Sequence, residues 1–295
     1  MAPVWAHYDQ ARLDAEYNAA GTVPSLEPYF ARYRAESARV RSACARELDV
    51  AYGTGERERL DLFGAPVTGA PVLVFMHGGF WRRLSKDEFS FFAEPFAQAG
   101  AVVAIPSYSL APAASLDDMV RQMRAAVLWL HENVREHGGD PHRIVVAGHS
   151  AGGQLAGMLA GTDWREYGVP TTPIVGVCGI SGLYELEPVR RSNVNDWLHL
   201  DAASAERNSP STHLPARSMP LVAAVGERET SEFLRQTADY ASAWSALGYP
   251  ADELVMRGQT HYDVVLDVLD AGSTLRALIL RLLGLGQRRT PQRNA

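Results

Sequence analysis

The chain has 295 residues, 46% of them hydrophobic and 21% charged, with a formal net charge of -6 and two cysteines. That length accommodates one α/β domain with a large core, and the negative balance excludes the clustered positive surface of a nucleic-acid partner. Cys44 and Cys178 give neither a disulfide framework nor a metal-ligand spacing.

The opening MAPVWAHYDQ lacks the basic start and apolar stretch of a signal peptide. No run approaches the roughly 20 apolar residues of a membrane span, so a cytoplasmic protein with no membrane partner is the expectation. Two N-terminal helices are predicted, over DQARLDAEYN and EPYFARYRAESARVRSAC, with the breaker-rich AAGTVPSL between them. Short strands follow at RELDVAYG and ERLDLFG, then PVLVFM, a continuous apolar run of the kind buried on both faces. DEFSFFAEPFAQAG reads as helix and AVVAIP as strand. The long helix after them repeats Leu116, Met119, Val120, Met123, Val127 and Leu130 at helical spacing, which marks core. RIVVAG is then strand, AGGQLAGMLAG helix, TPIVGVCGIS strand and MPLVAAVG strand; SEFLRQTADYASAWSALG is helix, ADELVMRG strand and STLRALILRLLG helix.

This alternation predicts an α/β fold, a mainly parallel sheet with helices on both faces that collects ligands outside the carboxyl ends of its strands. Residues 181–215 break the rhythm with a polar stretch, expected as a small cap or pocket wall on a single domain over 1–285. Residues 286–295, polar and basic, are expected to be a disordered tail.

VVAGHSAGGQLAG places a serine between glycines where an apolar strand gives way to a small-residue helix. Packing does not explain a Ser there. GHSAG fits G-x-S-x-G, a sharp turn that holds Ser150 exposed at the strand end, and the Ala151 amide then lies at a helix N-terminus where it can donate to an oxyanion. HGGFW, after PVLVFM, supplies the other donors of an α/β-hydrolase site, Gly78 or Gly79, with Gly79 preferred; His77 reads as a loop brace. A serine hydroxyl needs a base oriented by a carboxylate, in the order Ser, acid, His. Three histidines follow Ser150, and only His261 sits just past a predicted strand; His199 and His213 fall in the excursion. The loop GERETSEF offers Glu227, Glu229 and Glu232. Glu232 suits the first turn of the next helix. Of the others, Glu229 lies further into the loop and is preferred, with Glu227 left open. No H-E-x-x-H or similar ligand cluster is present, so no metal and no cofactor are expected.

The sequence resembles the α/β-hydrolase family of arylformamidases, or kynurenine formamidases, over nearly its whole length. HGGFW resembles that family's H-G-G-[YF]-W, ARLDAEYN its N-terminal helix, and SGLYELEPV with RNSP its segment after the nucleophile. SEFLRQT and HYDVV match the stretches around its acid and its histidine, which puts the acid on Glu229, although the family usually has Asp there. The resemblance implies hydrolysis of an N-formyl arylamine such as N-formylkynurenine by Ser150, His261 and Glu229, with Gly79 and Ala151 holding the oxyanion. It makes Phe80, Trp81 and Tyr108 candidates for an aromatic pocket wall, although plain packing explains each equally well. A carboxylesterase using the same residues is the alternative. The partner is a small molecule, and pairing of two copies as a homodimer stays open.

Overall fold

The computed structural model describes residues 3–64 and 67–286; the tail expected over 286–295 lies, apart from Gly286, outside them. Eight strands form one sheet: β1 Ala45–Ala51, β2 Arg59–Phe63, β3 Ala70–Met76, β4 Val102–Pro106, β5 Gly139–His149, β6 Ile174–Ile180, β7 Leu221–Gly226 and β8 Ala251–Met256. Their spatial order is β1-β2-β4-β3-β5-β6-β7-β8. β1 and β2 pair antiparallel, as do β2 and β4, and the strands from β4 through β8 run parallel.

The continuous apolar strands are explained by burial on both faces. In β3, Val72, Val74 and Met76 join one core, while Leu73 and Phe75 join the other. Helices Leu116–Asn133, Ala151–Ala160 and Ser231–Ala246 cover the first face. Helices Glu27–Cys44 and Thr274–Leu282 cover the second, together with a segment rich in phenylalanine. That segment, expected as one helix, is instead a turn of helix at Lys86–Phe89, a 3-10 turn at Ser90–Ala93 and a short helix Glu94–Gln98. Pro95 has no N–H for a continuous ladder and starts the last piece anew. Tightening the middle turn lets Phe89, Phe91, Phe92 and Phe96 all be buried.

Residues 181–215 also differ from the polar excursion expected. They contain the short helices Glu187–Arg191, Asn195–Leu198 and Ala202–Arg207, and bury Leu183, Leu186, Val189, Val194 and Leu198. The register aligns the carboxyl ends of the central strands: Met76 pairs with Gly148, His149 with Ile180, Ile180 with Ala224, and Gly226 with Met256. Gly78, Gly79, Ser150, Glu229 and His261 all lie just beyond these ends. Among the described residues no helix is long and apolar enough to cross a membrane.

Candidate active site

β5 hands directly to the helix Ala151–Ala160 through Ser150, whose backbone sits at φ 56° and ψ -119°. A non-glycine residue at positive φ costs on the order of 1–3 kcal/mol and persists only where its surroundings hold it. Here the Ser150 N–H donates to Ile180 O at 2.8 Å, and Ser150 O accepts from Gly153 N–H at 2.8 Å. The flanking glycines are a steric requirement. A Cβ on Gly148 would stand 2.0 Å from Gly152 O, and one on Gly152 would stand 2.0 Å from Met76 O. Ser150 Oγ is buried and meets no hydrogen-bond partner among the described residues. The Ala151 N–H, first in its helix, has no acceptor within that helix.

Beyond β7, Glu229 bends back under the site, its N–H donating to Gly226 O at 3.1 Å. Its carboxylate gathers three donors: His261 Nδ1–H at 2.6 Å, Ser181 Oγ–H at 2.5 Å and the Gly226 N–H at 2.8 Å. Glu229 and His261 are both buried. Because Nδ1 donates to the carboxylate, Nε2 of His261 keeps its lone pair as a base. Glu227 lies exposed and accepts from Gly258 N–H at 2.7 Å. Glu232 is buried elsewhere, accepting from Tyr17 OH at 2.8 Å and pairing with Arg235. His199 is exposed, and His213 packs against Gly161, away from this cluster.

His149, between Gly148 and Ser150, ties the turn to the histidine loop by donating Nε2–H to His261 O at 2.9 Å. Burial holds its imidazole well below its usual pKa, hence neutral. His77 is also buried and is pushed down to about 4 by desolvation. It donates Nδ1–H to Gly78 O at 2.8 Å and lies flat against Tyr108, the ring centres 4.3 Å apart. The loop after it is strained, with Gly79 at φ 120°, Phe80 at 49°, Trp81 at 58° and Leu84 at 69°.

The expected aromatic wall is only partly what the structure assembles. Phe80 lines the space at Ser150. Trp81 is fully buried with Nε1–H on Gln154 Oε1 at 3.0 Å, and Tyr108 donates its hydroxyl to His77 O at 2.8 Å. Both brace the loop from behind. The side chains around Ser150 and His261 come instead from Phe30, Tyr33, Phe89 and Tyr262, enclosing a cavity of about 20 Å³. Gly79 and Arg83 complete its edge. Tyr33 also donates its hydroxyl to Tyr262 O, so the helix Glu27–Cys44 is fastened to the histidine loop. Sequence reasoning missed Phe30, Tyr33 and Ser181, and no local signal marks them. No group of three or more His, Cys, Asp or Glu among the described residues is placed to hold a metal ion.

A family model described as alpha/beta hydrolase fold matches residues 73–263. The kynurenine formamidase of Danio rerio is 30% identical over 293 residues, covering 95% of this chain and 98% of that protein. That of Salmo salar is 34% identical over 254 residues, covering 83% and 85%. A solved structure from Silicibacter sp. TM1040 superposes with a TM-score of 0.79 at 30% identity, over 90% of this chain and 98% of that one. A thermophilic carboxylesterase from a metagenomic library gives 0.71 at 20% identity, over 89% and 96%, a likeness of fold. With the match spanning both chains almost from end to end, this protein is a hydrolase of the α/β-hydrolase family, in the branch that holds the kynurenine formamidases.

Proposed function

We propose that the protein hydrolyses N-formyl arylamines, N-formyl-L-kynurenine among them, to formate and the free amine. Ser150 attacks the formyl carbon while His261 Nε2 takes its proton, and Glu229 holds the imidazole in the tautomer this requires. The amides of Gly79 and Ala151 receive the oxyanion, an interaction whose loss typically costs about 10²–10³ in rate. His261 then returns the proton to the departing aryl nitrogen, leaving a formyl ester on Ser150. Water activated by the same imidazole releases formate.

The observation that carries the acyl group is the size of the space at Ser150. About 20 Å³ exceeds what one water needs by a small margin, which favours a formyl group over a longer acyl chain. The likeness to the kynurenine formamidase of Danio rerio over 95% of the chain supports the same substrate class. Formanilide, acetanilide and butyranilide form the test series. We expect kcat/KM to fall by about tenfold or more at each step, since overfilling a packed site costs on the order of 1–3 kcal/mol. Equal or rising rates toward butyryl replace this reading with that of a carboxylesterase.

Ser181 gives a second check. Its hydroxyl is one of three donors on the Glu229 carboxylate, and a hydrogen bond to a charged group is worth about 1.5–3 kcal/mol. Ser181→Ala is therefore expected to lower kcat by about tenfold with KM little changed. A kcat equal to wild type would show that Ser181 does not help to set the carboxylate.

A further inference from the structure

Next to the small cavity at Ser150 lies a second one of about 240 Å³. Phe80 and Arg83 line both, so Arg83 stands at their boundary. Arg82, Trp197, Asn18 and Asn193 extend the wall of the larger one. That lining holds two arginines and no carboxylate, on a chain whose net charge is -6. The arrangement is held in place: Trp197 donates Nε1–H to Phe80 O at 3.0 Å, and its ring meets the Phe80 ring edge-on at 6.5 Å. The Arg82 guanidinium lies over the Trp197 ring, 4.0 Å from its centre. Stacking fixes the plane of a guanidinium while leaving its N–H edge free to fork onto a carboxylate. Two carboxylates behind the wall are already engaged. Asp14 accepts from the Asn193 N–H at 2.8 Å and from Gln10 Nε2–H at 3.0 Å, and Glu232 is held by Tyr17 and Arg235.

Building on the hydrolase reading above, we propose that this second cavity receives the leaving group, and that Arg82 and Arg83 recognise a carboxylate carried on it. The preferred substrate is then an N-formyl arylamine with an anionic substituent: the formyl group enters the small cavity, and the ring and its carboxylate enter the larger one. The α-carboxylate of N-formyl-L-kynurenine meets that description, and formanilide, which lacks it, does not.

The readout is the ratio of kcat/KM for N-formyl-L-kynurenine to that for formanilide. The Arg82→Met/Arg83→Met double variant is expected to lower this ratio by about tenfold or more, mainly through KM for the anionic substrate. Arg83→Lys, which keeps the charge without the fork, should retain part of the preference. Added salt should lower the ratio in the wild type and leave the double variant unmoved. A ratio unchanged in the double variant overturns the proposal, because the arginines then serve both substrates alike. If the wild type turns over neither formamide, the formamidase reading fails and the subsite is read separately, with benzoate and benzyl alcohol as inhibitors of p-nitrophenyl acetate hydrolysis. Inhibition by benzoate that weakens about tenfold in the double variant, with benzyl alcohol unaffected, supports the subsite. Absence of benzoate inhibition, or a benzoate constant that the variant does not move, overturns it.

Discussion

Ser150→Ala is expected to lower kcat on formanilide by about 10⁴-fold or more, and His261→Ala by a similar factor. The Ser150→Ala/His261→Ala double variant should be hardly worse than either alone. The reason is that the two groups perform one act. Without the imidazole the hydroxyl keeps its proton and is a poor nucleophile; without the hydroxyl the imidazole has nothing to activate. Ser150 Oγ is buried, without a partner among the described residues, in the cavity that His261 also lines. What survives in all three variants is oxyanion stabilisation and binding, so their residual rates should converge. Losses that multiply in the double variant would mean that the two residues act independently, contrary to the mechanism proposed.

Glu229→Ala is expected to cost about 10³–10⁴ in kcat, and Glu227→Ala less than about threefold. Both residues are glutamates in one short loop, and the difference lies in where their carboxylates point. The Glu229 carboxylate is buried on His261 Nδ1–H and two further donors, so its removal frees the ring to turn and to take the wrong tautomer. The Glu227 carboxylate caps a solvent-facing turn through Gly258 N–H. Its loss forfeits about one ordinary hydrogen bond, far from the reacting atoms. Rates of the two variants on one substrate, with circular dichroism to establish folding, decide the matter. A larger loss in Glu227→Ala would move the acid to that residue.

Much of the fold was legible because it follows from periodicity. The apolar run of β3 and the 3.6-residue spacing from Leu116 to Leu130 each dictate one element, and their alternation implies the parallel sheet. Ser150 and His261 stood out because each follows a predicted strand end; β5 ends at His149 and β8 at Met256. Residues that meet only through long-range packing were not legible. Tyr33 reaches Tyr262 across 229 positions, and Ser181 reaches Glu229 across 48, with nothing local in either sequence to announce it. The expected wall of Trp81 and Tyr108 has the same explanation in reverse. An aromatic residue near the motif shows that a ring will be buried there; the positive φ of Trp81, and for Tyr108 the stacking on His77 and the hydrogen bond to His77 O, decide where the rings point. The excursion looked polar because its surface residues dominate the composition, while Leu183, Leu186, Val189, Val194 and Leu198 go inward.

Hydrolysis of N-formyl-L-kynurenine by the purified protein, followed as kynurenine and formate released together, tests the central claim most directly. Turnover of the formamide faster than that of p-nitrophenyl butyrate is the predicted result. Rapid hydrolysis of the butyrate with no release of formate from the formamide would contradict it.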